Sequence, residues 1–434
     1  MLSLLYCRKG AVTPIIAVTI VVMLIATGVS VDAARTQMVQ SKLNTATDAA
    51  GLAAGATLDT KSASAEAIKF FNVNYPTAYL GSTVSGPVTS LSSDGTTITV
   101  TASAKVPTTL LRVVGMSTLT VNASSQITRS GGGLEVVMVL DNTGSMNDTV
   151  SAGGTKLQGL KTAATDLVNI LHGTNPPGAR LWIGLVPFSQ TVNIGTGQPQ
   201  WMDAAYDATL NWHGSSWEGC VDARLKGEDV TDDPPSTMPF QAYIFPSPGS
   251  PNLYCSVQVI PMTASKDTII NGINAMVAAG NTHINLGAVW GWRMLSPRWR
   301  GVWGGEMNAN ALPLDYNTPN MSKALILMTD GLNTMDDFTH TAYWLLHDGR
   351  LGTTDQAAAI QTLDSRTLQV CNSLKSNGVI IYTIGFGNTG DVNPDLLKGC
   401  ASQPSFFFLA PTNDQLAAAF HAIGDSLTNL RVSQ

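Results

Sequence analysis

The sequence predicts an α/β fold, a doubly wound, mostly parallel sheet with long inserts, preceded by a transmembrane helix or stalk and a small α+β domain. Three observations predict it. Beyond residue 134, short apolar runs alternate with stretches of helical spacing, the pattern of a sheet covered on both faces. Within 59–129, segments such as Thr97-Ile98-Thr99-Val100-Thr101 place an apolar side chain at every second position, the period of a half-buried strand. Ahead of both lies Gly10–Val31, a stretch without a charged residue.

That stretch matches the roughly 20 apolar residues that cross a bilayer core. Arg8 and Lys9 precede it, and Asp32 and Arg35 end it. Basic residues before the span keep the N-terminus cytoplasmic and send the remainder across. A cleaved signal peptide is the competing reading, with Ala26-Thr27-Gly28 as a small-residue cleavage site. Its apolar region is ordinarily only about 7–15 residues, so a retained anchor is favoured. Alanines follow at 33, 34, 46, 49, 50, 53 and 54 with no proline before Pro76, so one helix can run from the membrane into solvent. Its small residues would permit close helix–helix packing, or simply form a stalk.

The anchor and Ala-rich helix are assigned to 1–58 and the small α+β domain to 59–129. Ser62–Val73 is helical, with Ala67, Ile68 and Phe71 on its apolar side. Val88–Leu91 and Thr97–Ala104 flank a Ser93-Asp94-Gly95 turn, and Ser117–Ile127 is a further β-rich run. Residues 130–133, Ser-Gly-Gly-Gly, form a linker. Within 134–434, strands are expected at Leu134–Leu140, Leu181–Phe188, Gln190–Ile194, Ala324–Met328 and Val379–Gly385. Helices are expected at Lys156–Leu171, Asp267–Ala279 and Asp414–Leu430, and inserts at about 195–261, 299–321 and 336–364.

Charged residues are only 12%, net charge is −6, and no Lys/Arg-rich run exists, which excludes the basic footprint of a nucleic-acid partner. Of five cysteines, none forms a Cys-x-x-Cys, so zinc is not expected. Four follow the apolar stretch and are paired by proximity, Cys220 with Cys255 and Cys371 with Cys400, as an exported chain allows. Trp290, Trp292, Trp299 and Trp303 are expected to pack under an insert rather than form a binding face.

The chemistry-bearing residues cluster at strand ends. Asp141-Asn142-Thr143-Gly144-Ser145 directly follows the first strand, where ligands of open α/β sheets gather. Gly144 is expected to supply unusual backbone geometry there. Thr329-Asp330-Gly331 ends another strand, and Asn281-Thr282-His283 follows a helix expected to end in Gly280. Asp141, Thr143, Ser145, Thr282 and Asp330 offer two carboxylates and three hydroxyls. That donor set suits Mg2+, or another divalent cation such as Ca2+ or Mn2+. Neutral hydroxyls would leave the ion electron-poor and open to an acidic residue from a protein partner. His283, His340 and His347 carry no hydrolase motif, and His283, beside Thr282, reads as a surface loop residue in preference to one lining the metal loop.

These three segments resemble the metal-ion-dependent adhesion site of von Willebrand factor A-type domains. The resemblance implies direct contact of Thr143, Ser145 and Thr282 with the ion, and contact by Asp141 and Asp330 directly or through water. The whole chain is similar to TadG-like proteins of Flp (tight adherence) pilus assembly. Arg8-Lys9-Gly10-Ala11-Val12, Val31-Asp32-Ala33-Ala34-Arg35, Ala46–Ala54, Trp290-Gly291-Trp292-Arg293 and Leu427-Thr428-Asn429-Leu430-Arg431 carry that likeness. Ile15 stands where related pseudopilins carry a glutamate five residues after the processing glycine, here Gly10, which argues against prepilin processing. The family implies a non-enzymatic, single-pass inner-membrane protein with its bulk periplasmic or surface-exposed, working with pilus-assembly components. A structural scaffold whose A-type domain binds no ligand is the second reading. A metal-dependent hydrolase is a distant third, without a general base or nucleophile pair to support it.

Overall fold

The computed structural model describes every residue except 1–11, 56–59, 93–96, 129–131, 151–152, 174–179, 204–210, 213–214, 226, 248–249 and 433–434. The expected Ser93-Asp94-Gly95 turn and the first half of the linker fall outside the described residues, as do many side chains of Gly10–Val31. The chain divides into two compact units, Met1–Ser130 with Thr174–Ala179, and Gly131–Gly173 with Arg180–Gln434.

In the first unit, helix α1 (Val12–Gly55) runs without a break. Among the described residues no helix is long and apolar enough to cross a membrane. The C-terminal half of α1 buries Val39, Leu43, Ala46, Ala50 and Ala54, a stripe at helical spacing. Helix α2 (Thr60–Asn74) adds Ala63, Ala67 and Phe71 to the same core. Strands β1 (Thr83–Leu91), β2 (Thr97–Pro107) and β3 (Thr118–Thr128) form an antiparallel sheet in that order. Strand β2 turns Ile98, Val100, Ala102, Ala104 and Val106 inward at every second position. The regions kept apart as 1–58 and 59–129 thus share one core, because the alanine stripe of α1 closes over α2 and the sheet. Ile68 departs from its expected apolar side and is 45% exposed, since the buried row at 63, 67 and 71 leaves position 68 outside.

Asp32 fastens α1 to the loop after β2. Its Oδ1 accepts the Thr109 amide at 2.8 Å, and its Oδ2 accepts those of Leu110 and Leu111 at 2.9 and 2.8 Å. Arg35, one turn on, donates to Thr109 Oγ1 and the Leu80 carbonyl.

The second unit is built on a six-stranded sheet. Its elements in chain order begin with β4 (Gly133–Asp141), α3 (Lys156–His172) and β5 (Leu181–Phe188). The first insert carries two-residue ribbons, β6 (Val192–Asn193) with β9 (Cys220–Val221) and β7 (Asn211–Trp212) with β8 (Ser215–Ser216). Then follow β10 (Ile260–Thr263), α4 (Lys266–Ala275), α5 (Ile284–Leu295), α6 (Gly305–Ala309) and β11 (Met321–Thr329). The chain closes with α7 (Gln356–Ser376), β12 (Ile380–Gly385), α8 (Pro394–Cys400), β13 (Phe407–Leu409) and α9 (Asn413–Val432). Strand order is β10-β5-β4-β11-β12-β13, parallel throughout except at β10. This is a mixed α/β fold with a largely parallel sheet.

Every residue of β4 and β11 is buried, which explains why both read as continuous apolar runs. Val136, Met138 and Leu140 join the layer of α3, α4 and α9, while Val137 and Val139 join that of α5 and α7. Glu135 and Lys323, paired across β4 and β11, form the sheet's buried ion pair, and Glu135 Oε1 also accepts the Leu314 amide at 2.8 Å. Both expected disulfides are present, Cys220–Cys255 and Cys371–Cys400. Trp290, Trp292, Trp299 and Trp303 are buried as expected, with Trp201 and Phe240 of the insert packed on the rings of Trp290 and Trp299 and Trp201 also on that of Trp303.

Several elements differ from the sequence reading. Residues 190–194 hold only the short ribbon strand β6, outside the main sheet. The helix expected to run to Ala279 ends at Ala275, and Met276–Thr282 is irregular. Helices α5, α6, α7 and α8 and strands β10 and β13 were not expected, and α7 begins inside the third insert.

Candidate metal centre

Parallel pairing sets β4 and β11 side by side with Leu140 opposite Met328, so Asp141 and Asp330 leave the sheet at the same edge. Asp141 is fully buried. Its Oδ1 accepts the Thr143 amide at 2.8 Å, and its Oδ2 accepts the Thr329 hydroxyl at 2.7 Å. After Thr143 the chain turns through a short 3-10 helix, Gly144–Asn147, which returns the Ser145 side chain toward Thr143. The two hydroxyl oxygens are 3.1 Å apart. Asp330 Oδ1 accepts from Ser145 Oγ at 2.7 Å and lies 3.5 Å from Thr143 Oγ1.

Thr282 enters from the loop before α5. A Cβ on Gly331 would lie 3.5 Å from Thr282 Oγ1 and 3.9 Å from Ser145 Oγ, so both hydroxyls face the space that glycine leaves. Reciprocal bonds brace the Thr282 backbone: its amide donates to Thr334 Oγ1 and its carbonyl accepts the Thr334 amide, both at 3.0 Å. Gly144 serves closeness rather than unusual dihedrals, its amide donating to the Gly280 carbonyl at 2.9 Å. The structure therefore brings all five expected residues to one place, from three loops.

Sequence reasoning missed three participants. Thr329 holds the outer oxygen of Asp141. Lys156, the first residue of α3, sets Nζ 2.9 Å from Asp330 Oδ2. A lysine in a helix's first turn opposes the macrodipole, and that was the available signal of a nearby anion. His283, expected on the surface, is fully buried at the start of α5. The helix packs inward along its whole length and takes this ring with it, with Nε2 3.0 Å from the Thr334 carbonyl.

Burial, and then the charge of Asp330, push the Asp141 carboxyl up to about 7. Two carboxylates this close need a cation or a proton. The donors are all oxygen, two carboxylates and three hydroxyls, the ligand type that hard divalent ions take. Among the described residues no three His, Cys, Asp or Glu side chains group as a metal site, so the hydroxyls are essential to this set.

At the other end of the chain, residues 10–57 match the model of a family described as putative Flp pilus-assembly TadE/G-like. This segment is TadE/G-like. No curated protein matches the chain. Solved structures similar to it include the vWF domain of the type V pili tip protein Mfa5 from Porphyromonas gingivalis, at 14% identity and TM-score 0.35, covering 68% of this chain and 95% of that one. The pilus adhesin SpaC from Lactobacillus rhamnosus GG, in an open conformation, is similar at 12% identity and TM-score 0.38, covering 80% and 34%. Proximal thread matrix protein 1 from the mussel byssus, with a zinc-occupied MIDAS motif, is similar at 15% identity and TM-score 0.34, covering 70% and 47%. The chain thus spans about half the length of the mussel protein.

Proposed function

We propose that the chain is a membrane-anchored cell-envelope protein of the tight-adherence pilus system that binds a protein partner through a divalent ion held by a von Willebrand factor A-type domain. The observation that carries this reading is the convergence of Asp141, Thr143, Ser145 and Asp330, with Thr282 facing them across Gly331. Thr143, Ser145 and Thr282 would hold the ion directly, and Asp141 and Asp330 directly or through water. The ion, when bound, supplies an electron-poor centre for a partner's carboxylate. Thr329 orients Asp141, and the Thr334 bonds fix the backbone of Thr282. Mg2+ is the preferred ion, with Ca2+ or Mn2+ as alternatives.

The anchor reading rests on Gly10–Val31 and its TadE/G-like character. Ile16, Val18, Ile20 and Met23 of α1 are each at least half exposed, apolar surface that water does not favour and a bilayer would cover. The N-terminus would then be cytoplasmic, and the chain beyond Val31 would lie on the far side of the inner membrane, periplasmic or surface-exposed.

Magnesium calorimetry on the full chain, beside a Thr143→Ala/Asp330→Ala variant, tests the ion site. Binding heat in the wild type alone is expected; equal traces would end the proposal. Adherence of cells carrying the same variant separates partner binding from a scaffold role, and unchanged adherence would favour the scaffold. Protease added to spheroplasts should digest the second unit; its protection would overturn the topology.

A further inference from the structure

Asp330 divides its two oxygens. Oδ1 accepts from Ser145 and faces Thr143, on the side of the proposed ion, whereas Oδ2 holds the Lys156 ammonium at 2.9 Å. The Lys156 side chain is 15% exposed and that of Asp330 is fully buried. Lys156 has a second carboxylate in reach, Asp148 Oδ2 at 4.0 Å, whose side chain is 68% exposed. The backbone holds these two residues together, since the Lys156 amide donates to the Asp148 carbonyl at 3.0 Å. The helix start itself is already satisfied: Thr155 and Gln158 form a reciprocal capping box, so Lys156 is not needed there.

We propose that Lys156 is an internal counter-cation of the Asp141–Asp330 pair, displaced toward Asp148 when a divalent ion enters. This rests on the ion-site reading above. An ammonium ion-paired with Asp330 neutralises part of the charge that a divalent ion would otherwise neutralise. An ion among the hydroxyls would repel that ammonium across a poorly solvated gap. The ammonium has only to pivot about its own backbone to reach Asp148, a solvated carboxylate that costs nothing to leave uncovered. The site therefore alternates between one built-in monovalent charge and one external divalent charge, and its affinity is set by their competition.

The test uses the full chain with Mg2+ and Mn2+ alone as probes. Lys156→Met and Lys156→Gln should bind both ions more tightly than wild type, by about tenfold or more. The same variants should melt at lower temperature without ion and gain more on its addition, because the carboxylate pair then has no counter-charge. Asp148→Asn, an exposed change that leaves the fold alone, should weaken ion binding by a few-fold, since the displaced ammonium loses its receiving partner. Unchanged or weaker binding in both Lys156 variants overturns the proposal while leaving the ion site standing. No binding in any of these proteins defeats this proposal and the ion site together.

Discussion

Thr329 donates its hydroxyl to Asp141 Oδ2 at 2.7 Å, opposite the Thr143 amide on Oδ1, so the two oxygens of the buried carboxylate are held from β11 and from the loop after β4. Thr329 is itself fully buried. Thr329→Val keeps the shape and deletes the donor. It is expected to weaken magnesium binding about tenfold, as loss of a residue that orients a ligand does. It should also cost about 1 kcal/mol of stability, because the Asp141 oxygen stays buried without its partner. Thr329→Ser should restore both. Calorimetry and urea unfolding of the two variants check this, and wild-type affinity in Thr329→Val would remove Thr329 from the site.

Acid should loosen the second unit through His283. The Thr334 carbonyl can only accept, so Nε2 carries the proton, and Nδ1 is buried without a hydrogen-bond partner. Burial lowers this imidazole from 6.5 to about 4. The unfolded chain then takes up a proton that the folded chain refuses between those values. The His283 contribution to stability is thus unaffected above about 6.5, falls as pH drops toward 4, and levels off below; its full loss is about 3 kcal/mol. The raised Asp141 carboxyl acts in the opposite sense over the same range, so the slope is read as the difference between wild type and His283→Gln, which still can donate to Thr334, in melting curves between pH 7 and 4.5. An equal slope in that variant would place the titration elsewhere.

The first unit has its own acid-sensitive contact. The Asp32 carboxyl is lowered from 3.8 to about 2, most by the Leu111 amide and also by those of Thr109 and Leu110, against the opposing effect of burial. A lowered carboxyl stabilises fully above its ordinary value, and that contribution is lost as pH falls through about 2. Asp32→Ala should leave these amides without an acceptor. Hydrogen exchange at Thr109, Leu110 and Leu111 should then quicken by about tenfold. Exchange in the second unit should stay as it was. Unaltered exchange at these three amides would show that the loop holds itself.

How much of this was legible in the sequence depended on whether a residue's neighbours were local. Strands β4 and β11 are buried on both faces, so their apolar runs declared them, and Asp141 and Asp330 followed from their ends. Helix α5 was invisible because all of Ile284–Leu295 is buried, leaving no polar face to set a period. Helix α7 was diluted instead: its buried side mixes Ala359, Thr367 and Cys371 with Leu363, Val370 and Leu374. Thr282 was singled out as following a helix expected to end in Gly280, yet that helix stops at Ala275 and the residue enters the site from the loop before α5. The alanines of α1 were read for helix–helix contact, yet their surroundings are α2 and a sheet formed far along the chain.

The Cys220–Cys255 bridge should steady the Thr282 loop from a distance. It closes a 35-residue separation in the first insert, a constraint worth about 4 kcal/mol in the chain-entropy account. The Cys220 carbonyl accepts the Tyr243 amide at 2.9 Å, and the Tyr243 hydroxyl receives the Gln190 side-chain amide at 3.0 Å. Gln190 Oε1 in turn accepts the amide of Asn281, next to Thr282, at 2.7 Å. Cys220→Ser/Cys255→Ser should therefore quicken exchange of the Asn281 amide and weaken magnesium binding as well as lower the melting temperature. Cys371→Ser/Cys400→Ser, which unties α7 from α8, should lower the melting temperature and leave Asn281 protected. If both pairs of substitutions affect Asn281 alike, the effect is global loss of stability, and the path through Tyr243 and Gln190 is refuted.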